Sequence, residues 1–215
     1  SLNADPQAEL YAEQLAADGS HFKVLKNGVL QGEVRWNMTG QHSVANALAT
    51  IAAAEHVGVA IETACAALSN FGGVKRRMEL LGTIRGIEVY DDFAHHPTAI
   101  ETTLDGARKR LGERKLWAII EPRSNTMRMG SHKEGLADSA RLADAVIWYQ
   151  PEGLDWDLQP VVAAARNHAV VANTLDEIIQ KIVSQAGEGD AVVIMSNGGF
   201  GGLHQKLIQA LQHTA

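Results

Sequence analysis

Asp91, Asp92, His95 and His96 stand within the run Tyr90-Asp91-Asp92-Phe93-Ala94-His95-His96-Pro97, the densest cluster of reactive side chains in the chain. Carboxylates at such a place can accept hydrogen bonds from a ribose or hold a metal ion. The imidazoles can donate to phosphate or carboxylate oxygens, charged or neutral according to their surroundings. Pro97 is pre-shaped for the first turn of a helix, so the cluster sits just ahead of one. A blander reading has Asp92 capping that helix and the histidines solvated, but four such groups exceed what capping requires.

Four other segments carry chemistry. In Gly40-Gln41-His42-Ser43-Val44-Ala45-Asn46, His42 and Asn46 are spaced to share one helix face. An amide such as Asn46 can pair with an adenine edge, although alone it reads as a solvated polar residue. Lys75, Arg76 and Arg77 precede a strand and invite an anion, since the planar guanidinium suits phosphate oxygens; the competing reading is a surface charge run. Glu121-Pro122-Arg123-Ser124-Asn125-Thr126-Met127-Arg128 offers arginines, hydroxyls and an amide to a carboxylate-rich substrate. In Met195-Ser196-Asn197-Gly198-Gly199-Phe200-Gly201-Gly202, glycines allow close backbone approach and the following helix start favours an anion. This glycine run is no dinucleotide fingerprint, lacking a downstream acidic strand. No Gly-x-x-x-x-Gly-Lys-Ser/Thr run occurs in the sequence.

The elements that position these groups fall into two parts. Residues 1–80 predict a short helix over Gln7 to Ala17 and a hairpin of His21 to Leu25 with Val29 to Trp36, turned at Asn27-Gly28. A helix from about Gly40 follows, with Val44, Leu48, Ile51 and Ala52 on one face, then a second helix carrying Ile61, Ala64, Cys65 and Leu68. Without strand–helix alternation, this part reads as the tail of a larger domain. Residues 81–215 alternate: strands at Ile87 to Tyr90, Leu116 to Ile120, Ala145 to Tyr149, His168 to Val171 and Ala191 to Met195. Helices between them carry Ile100/Leu104/Ala107/Leu111, Leu136/Ala140/Ala143, Val161 to Arg166 and Leu175/Ile178/Ile179/Ile182, and a last one carries Leu203/Leu207/Leu211. The pattern predicts an α/β fold, a Rossmann-like domain with a mainly parallel sheet covered on both faces. Ligands in such sheets bind beyond the strands' carboxyl ends, where residues 91–97, 121–128 and 196–202 fall.

With 215 residues, 46% hydrophobic and a net charge of −6 of interleaved signs, the chain can build a core and shows no basic excess for a nucleic-acid groove. No stretch approaches the roughly 20 apolar residues of a membrane span. The single Cys65 excludes an internal disulfide, suits a reducing cytoplasm and reads as a small buried apolar residue rather than a nucleophile. The opening Ser1-Leu2-Asn3-Ala4-Asp5, without methionine, predicts a piece of a longer chain.

In this order the segments resemble the Mur ligase family of bacterial cell-wall synthesis. Gly40 to Asn46 resembles its Gly-x-His-Asn-x-x-Asn pattern, Arg76-Arg77 its arginine pair before a strand, and Asp92 to Pro97 its Asp-Tyr-Ala-His-x-Pro segment. Residues 91–98, 121–127 and 196–202 are similar to the branch that joins a free murein tripeptide to UDP-N-acetylmuramate. The resemblance implies a UDP-sugar domain, a central ATPase domain with a P-loop, and a Rossmann-like C-terminal domain; residues 1–80 would be the end of the second and 81–215 the third. It implies ATP and Mg2+, with an acyl phosphate formed on the sugar and attacked by the tripeptide's amine. Carried over by position, Asn46 and His42 would meet the adenine, Asp92 the ribose and Arg77 the phosphates. His95 and His96 would lie near the reacting groups, and Arg123, Ser124, Asn125, Ser196 and Asn197 would recognise the tripeptide. Ser43 stands where many relatives carry asparagine. The magnesium ligands would belong to a part of the family's length outside this chain, and the chain alone would be inactive. Two alternatives remain: another family member, such as the L-alanine-adding enzyme, or a metal-dependent phosphoesterase built on Asp91, Asp92, His95 and His96.

Overall fold

The computed structural model describes residues 8–122, 135–150, 152–154 and 156–213. They form two compact units: residues 1–75 with 105–110, and residues 76–104 with 111–215.

The first unit is a three-stranded antiparallel sheet, β1 (Leu10–Gln14), β2 (His21–Lys26) and β3 (Val29–Arg35), with helices α1 (Gln41–His56) and α2 (Ile61–Ser69). The β2–β3 hairpin turns at Asn27 and Gly28 with φ of 50° and 78°, the left-handed pair that a two-residue turn needs. Its core joins Phe22, Val24 and Val34 of the sheet, and Trp36 just after it, to Val44, Leu48, Ile51 and Cys65 of the helices. Each fully buried large apolar side chain contributes about 1.5–3 kcal/mol. The helix expected over Gln7 to Ala17 is instead strand β1. Leu10 to Gln14 pair with Lys26 to Phe22, and Ala12 alone of the five is buried, so ladder bonds to β2 outweigh local helix propensity.

The second unit is a six-stranded sheet in the order β4-β5-β9-β6-β7-β8. Strands β5 (Ile87–Asp92), β6 (Leu116–Ile120), β7 (Ala145–Tyr149), β8 (His168–Ala172) and β9 (Ala191–Met195) run parallel, while β4 (Glu79–Ile84) pairs antiparallel to β5. Every residue of β6 and β9 is buried, as expected of strands covered on both faces. The α/β reading therefore holds, and the five expected parallel strands are present. Strand β4 was not among them: a bulge between Leu80 and Gly82 breaks its alternation, and Leu80 is exposed.

The helices of this part are α3 (Pro97–Leu111), α4 (Leu136–Ser139), α5 (Gln159–Ala164), α6 (Leu175–Gln185) and α7 (Leu203–His213). Helix α3 buries Ile100, Leu104, Ala107 and Leu111 as its spacing predicts; its residues 105–110 belong to the first unit. The helix expected through Ala143 stops at Ser139. The chain passes there into three-residue turns, Arg141 N–H donating to the Asp138 carbonyl and Ala143 N–H to that of Ala140, and the Asn167 amide donates to the carbonyls of Ala140 and Ala143 at 2.8 and 2.9 Å. The last strand in sequence, β9, lies between β5 and β6, so the order of connections reverses there. A crevice at the carboxyl ends of strands flanking such a reversal is where ligands bind in open α/β sheets.

Among the described residues no helix is long and apolar enough to cross a membrane. Cys65 is 1% exposed, and burial pushes its thiol up to about 11 from an ordinary 9.0. At pH 8 the folded chain should therefore hold about 100-fold less thiolate than the unfolded one. Labelling with a disulfide reagent should be at least that much slower in buffer than in urea; equal rates would contradict the buried placement.

Candidate functional site

Asp91 and Asp92 are the last residues of β5, and both carboxylates are buried. Asp92 is 2% exposed. Its Oδ2 accepts the backbone N–H of Met78 at 2.8 Å; its Oδ1 accepts Ala94 N–H at 2.8 Å and the Thr103 hydroxyl at 3.1 Å. Its carbonyl accepts the N–H of Ser196 at 3.1 Å. One residue thus ties the approach to β4, the loop after β5, helix α3 and the end of β9. Burial raises the Asp92 pKa; the bonds from Ala94, Met78 and Thr103, and the charge of Arg77, oppose that rise. With its folded pKa above the unfolded one, its proton-linked stabilisation is full at acid pH and lost as pH rises through the raised value. At neutral pH the buried carboxylate depends on its three donors.

Asp91 takes the charged side of the same edge. Its Oδ2 receives Arg76 Nε at 3.2 Å and its Oδ1 receives His204 Nε2, from the first turn of α7, at 3.0 Å. Arg76 Nη2 donates onward to the carbonyls of Ser196 and Gly198 at 2.5 and 2.9 Å. Arg76 is therefore spent inside the protein, pinning the glycine-rich loop after β9. Arg77, its neighbour, is exposed and makes no ion pair among the described residues. Both guanidinium groups lie over the Phe93 ring, at 5.2 and 6.0 Å from its centroid. His95 meets the same ring edge-on at 5.5 Å, and its Nδ1 lies 2.9 Å from the Phe93 carbonyl. A carbonyl only accepts, so Nδ1 carries the proton and Nε2 is the nitrogen available to a ligand.

At the end of β6, Glu121 is 5% exposed and accepts the hydroxyl of Ser196, which is wholly buried. Ser196 Oγ accepts the Gly198 N–H at 2.9 Å, closing the first turn of the loop. Beyond it Phe200, Gly201 and Gly202 have φ of 43°, 57° and 77°. Two glycines suit that left-handed run, and Phe200 holds it by packing its buried ring against Tyr149 at 5.3 Å.

The structure thus gathers Asp92, His95, Arg77 and Ser196 with their supports around the carboxyl ends of β5, β9 and β6. Ser196 faces inward and holds the loop, Asn197 and His96 are half-buried, and Asp92 is enclosed. In the first unit His42 and Asn46 are exposed on α1, whereas Ser43 is buried and donates to the Thr39 carbonyl at 2.7 Å. Arg123, Ser124 and Asn125 lie outside the described residues. The metal-site alternative loses its donors, since Asp91 is committed to Arg76 and His204 and Asp92 to three hydrogen-bond donors. No group of three or more His, Cys, Asp or Glu side chains gathers for a metal ion among the described residues. His204 was not among the expected site residues, and three others take roles that were not expected: Asp91 is an ion-pair partner rather than a metal donor, Arg76 an internal clamp rather than an anion contact, and Glu121 the acceptor of the Ser196 hydroxyl. Glu121 had a signal, standing first after a buried strand; His204 had none, its role arising from a partner 113 residues away.

A mainly parallel α/β unit with polar groups and a glycine loop at its strand ends is a ligand-binding domain of Rossmann type. Residues 76–198, more than half of the chain, match the family model described as "Mur ligase, glutamate ligase domain", and the chain belongs to the Mur ligase family. It is 46% identical over 205 residues to the UDP-N-acetylmuramate–L-alanyl-γ-D-glutamyl-meso-2,6-diaminoheptandioate ligase of Haemophilus influenzae, covering 95% of this chain and 45% of that protein. It is 44% identical to the enzyme of the same name from Escherichia coli, over 97% of this chain and 46% of that one. A crystal structure of a murein peptide ligase from Psychrobacter arcticus is 52% identical, with a TM-score of 0.72, covering 99% of this chain and 46% of that one. The chain thus spans about half the length of the relatives it matches.

Replacing Asp92 by alanine strands buried donors at Met78 and Ala94, each costing about 1–3 kcal/mol. Urea unfolding of Asp92→Ala should show a loss of about 2–4 kcal/mol; a change under about 0.5 kcal/mol would remove its structural role.

Proposed function

We propose that this chain is the C-terminal portion of an ATP-dependent, ADP-forming ligase that joins L-alanyl-γ-D-glutamyl-meso-diaminopimelate to UDP-N-acetylmuramate in peptidoglycan recycling. The observation that carries this reading is the 44–46% identity to two enzymes of that name, sustained over 95–97% of the chain. UDP-N-acetylmuramate–L-alanine ligases, over similar lengths, lie at 29–32%. Residues 1–80 are then the end of the ATP-binding domain and 81–215 the peptide-receiving domain.

ATP, bound with Mg2+, supplies the phosphoryl group that activates the sugar carboxylate. The exposed Arg77 fits a phosphate-facing role, since Asp91 is taken by Arg76 and Arg77 makes no ion pair among the described residues. Exposed Asn46 and His42 fit the edge of an adenine, which needs a donor and an acceptor. The burial of Ser43 supports a structural part in α1 rather than a second adenine contact. Asp92, reached by resemblance as a ribose ligand, is supported here chiefly as the residue that shapes the loop beside that sugar. His95, with Nε2 facing no partner among the described residues, fits a hydrogen-bond acceptor for the incoming amine or, with its ring protonated, a donor to a developing anion, and His96 borders it. Arg123, Ser124 and Asn125 are assigned to the tripeptide's carboxylates, and Ser196 and Asn197, in the loop after β9, to its recognition. The phosphate cradle and the Mg2+ ligands are assigned to the portion of the family's length that this chain does not cover.

Calorimetric titration tests the assignment. The chain should give a binding heat with the tripeptide and none with L-alanine at the same concentration. An equal response to both, or to neither, would overturn it. The chain alone should release no ADP from ATP above background, and turnover would overturn the placing of the phosphate cradle elsewhere.

A further inference from the structure

Glu121 is a buried carboxylate with half of its bonding unused. One oxygen accepts the Ser196 hydroxyl; the other has no hydrogen-bond partner, and the side chain has no ion pair, among the described residues. Its buried neighbours differ: Asp91 is paired with Arg76 and His204, and Asp92 takes three donors. A buried charge persists in proteins when it is paired, so an open acceptor oxygen on a 5% exposed carboxylate points to a partner that arrives with a ligand. The oxygen is not sealed away, for Trp148 Nε1 is the one fully enclosed, partnerless side-chain polar atom among the described residues. The half-buried Tyr149 brings no positive charge to it: burial first, then the negative charges of Glu121 and Glu152, hold its phenol protonated, and an ionised phenol would be a second anion.

We propose that Glu121 is a specificity residue that receives a primary ammonium group of the peptide substrate. The inference rests on the peptide-ligase reading above and adds a residue and a chemical group to it. An ammonium group is a compact charge that a single anionic oxygen can anchor, which this corner supplies. A guanidinium would ask for both carboxylate oxygens in a bidentate fork, and Ser196 already holds one. A divalent cation would ask for several hard ligands, and no such group gathers among the described residues. Ser196 is then a positioning residue. Its hydroxyl orients the carboxylate, and the Gly198 N–H fixes the hydroxyl at 2.9 Å.

The tripeptide carries two such amines, on its alanine and on its diaminopimelate, and the test separates them. The wild-type chain and Glu121→Gln are titrated with the tripeptide and with each singly N-acetylated form. We expect one acetylated form to bind wild type at least 10-fold more weakly than the free tripeptide. E121Q should bind the free tripeptide at least 10-fold more weakly and discriminate no longer. Unchanged tripeptide affinity in E121Q, or retained discrimination, overturns the role of Glu121 while leaving the peptide-ligase reading intact. Absence of tripeptide binding to wild type overturns both. Should E121Q fail to fold, competition on the wild type decides. Methylammonium should displace the tripeptide where tetramethylammonium, which has no N–H donors, does not, and equal competition overturns the proposal.

Discussion

The Asp92 carboxylate, 2% exposed at the end of β5, takes hydrogen bonds from Met78, Ala94 and Thr103. An ionised group so placed is costly unless each oxygen is answered, and here the answers come from separate stretches of chain. Its backbone carbonyl adds the start of the loop after β9. The ends of two parallel strands, the entry to an antiparallel edge strand and the first turns of α3 are set against one residue. Neighbouring groups inherit their positions from it: Phe93 and His95 follow it directly, and Arg76 and Arg77 precede the Met78 amide that it binds.

Around that anchor the polar groups divide into those already satisfied and those left open. Arg76, Asp91, His204 and Ser196 spend their hydrogen bonds within the protein and hold the loop in place. Arg77, Nε2 of His95 and one oxygen of Glu121 are left open among the described residues. A site that binds anions, amines and carboxylates needs both kinds, because open groups serve a reaction only when rigid ones fix their geometry. The two adjacent arginines show the division most plainly: same type, next in sequence, one internal and one outward.

Much of this was legible in the residues. Short apolar runs separated by amphipathic helices predicted the parallel sheet, and the polar groups gather at the carboxyl ends of those strands. The Asn27-Gly28 turn and the burial of Cys65 were equally readable, since each follows from local pattern. The first strand was misread because Leu10 to Gln14 has no decisive period, and its state is set by pairing with β2. Strand β4 was hidden by its bulge. The inward commitment of Asp92 and Ser196 was out of reach of spacing arguments, because it depends on partners such as Met78, Thr103 and Glu121 that the fold alone brings near. Residue type told which groups could do chemistry; only the fold told which were already occupied.

Amide hydrogen exchange in the native chain tests the organising role of Asp92 most directly. The Met78 and Ala94 N–H groups stand in irregular segments and, if held as described, should open only with free energies within about 1 kcal/mol of global unfolding. Exchange of both amides at the rates of exposed loop residues would contradict the account.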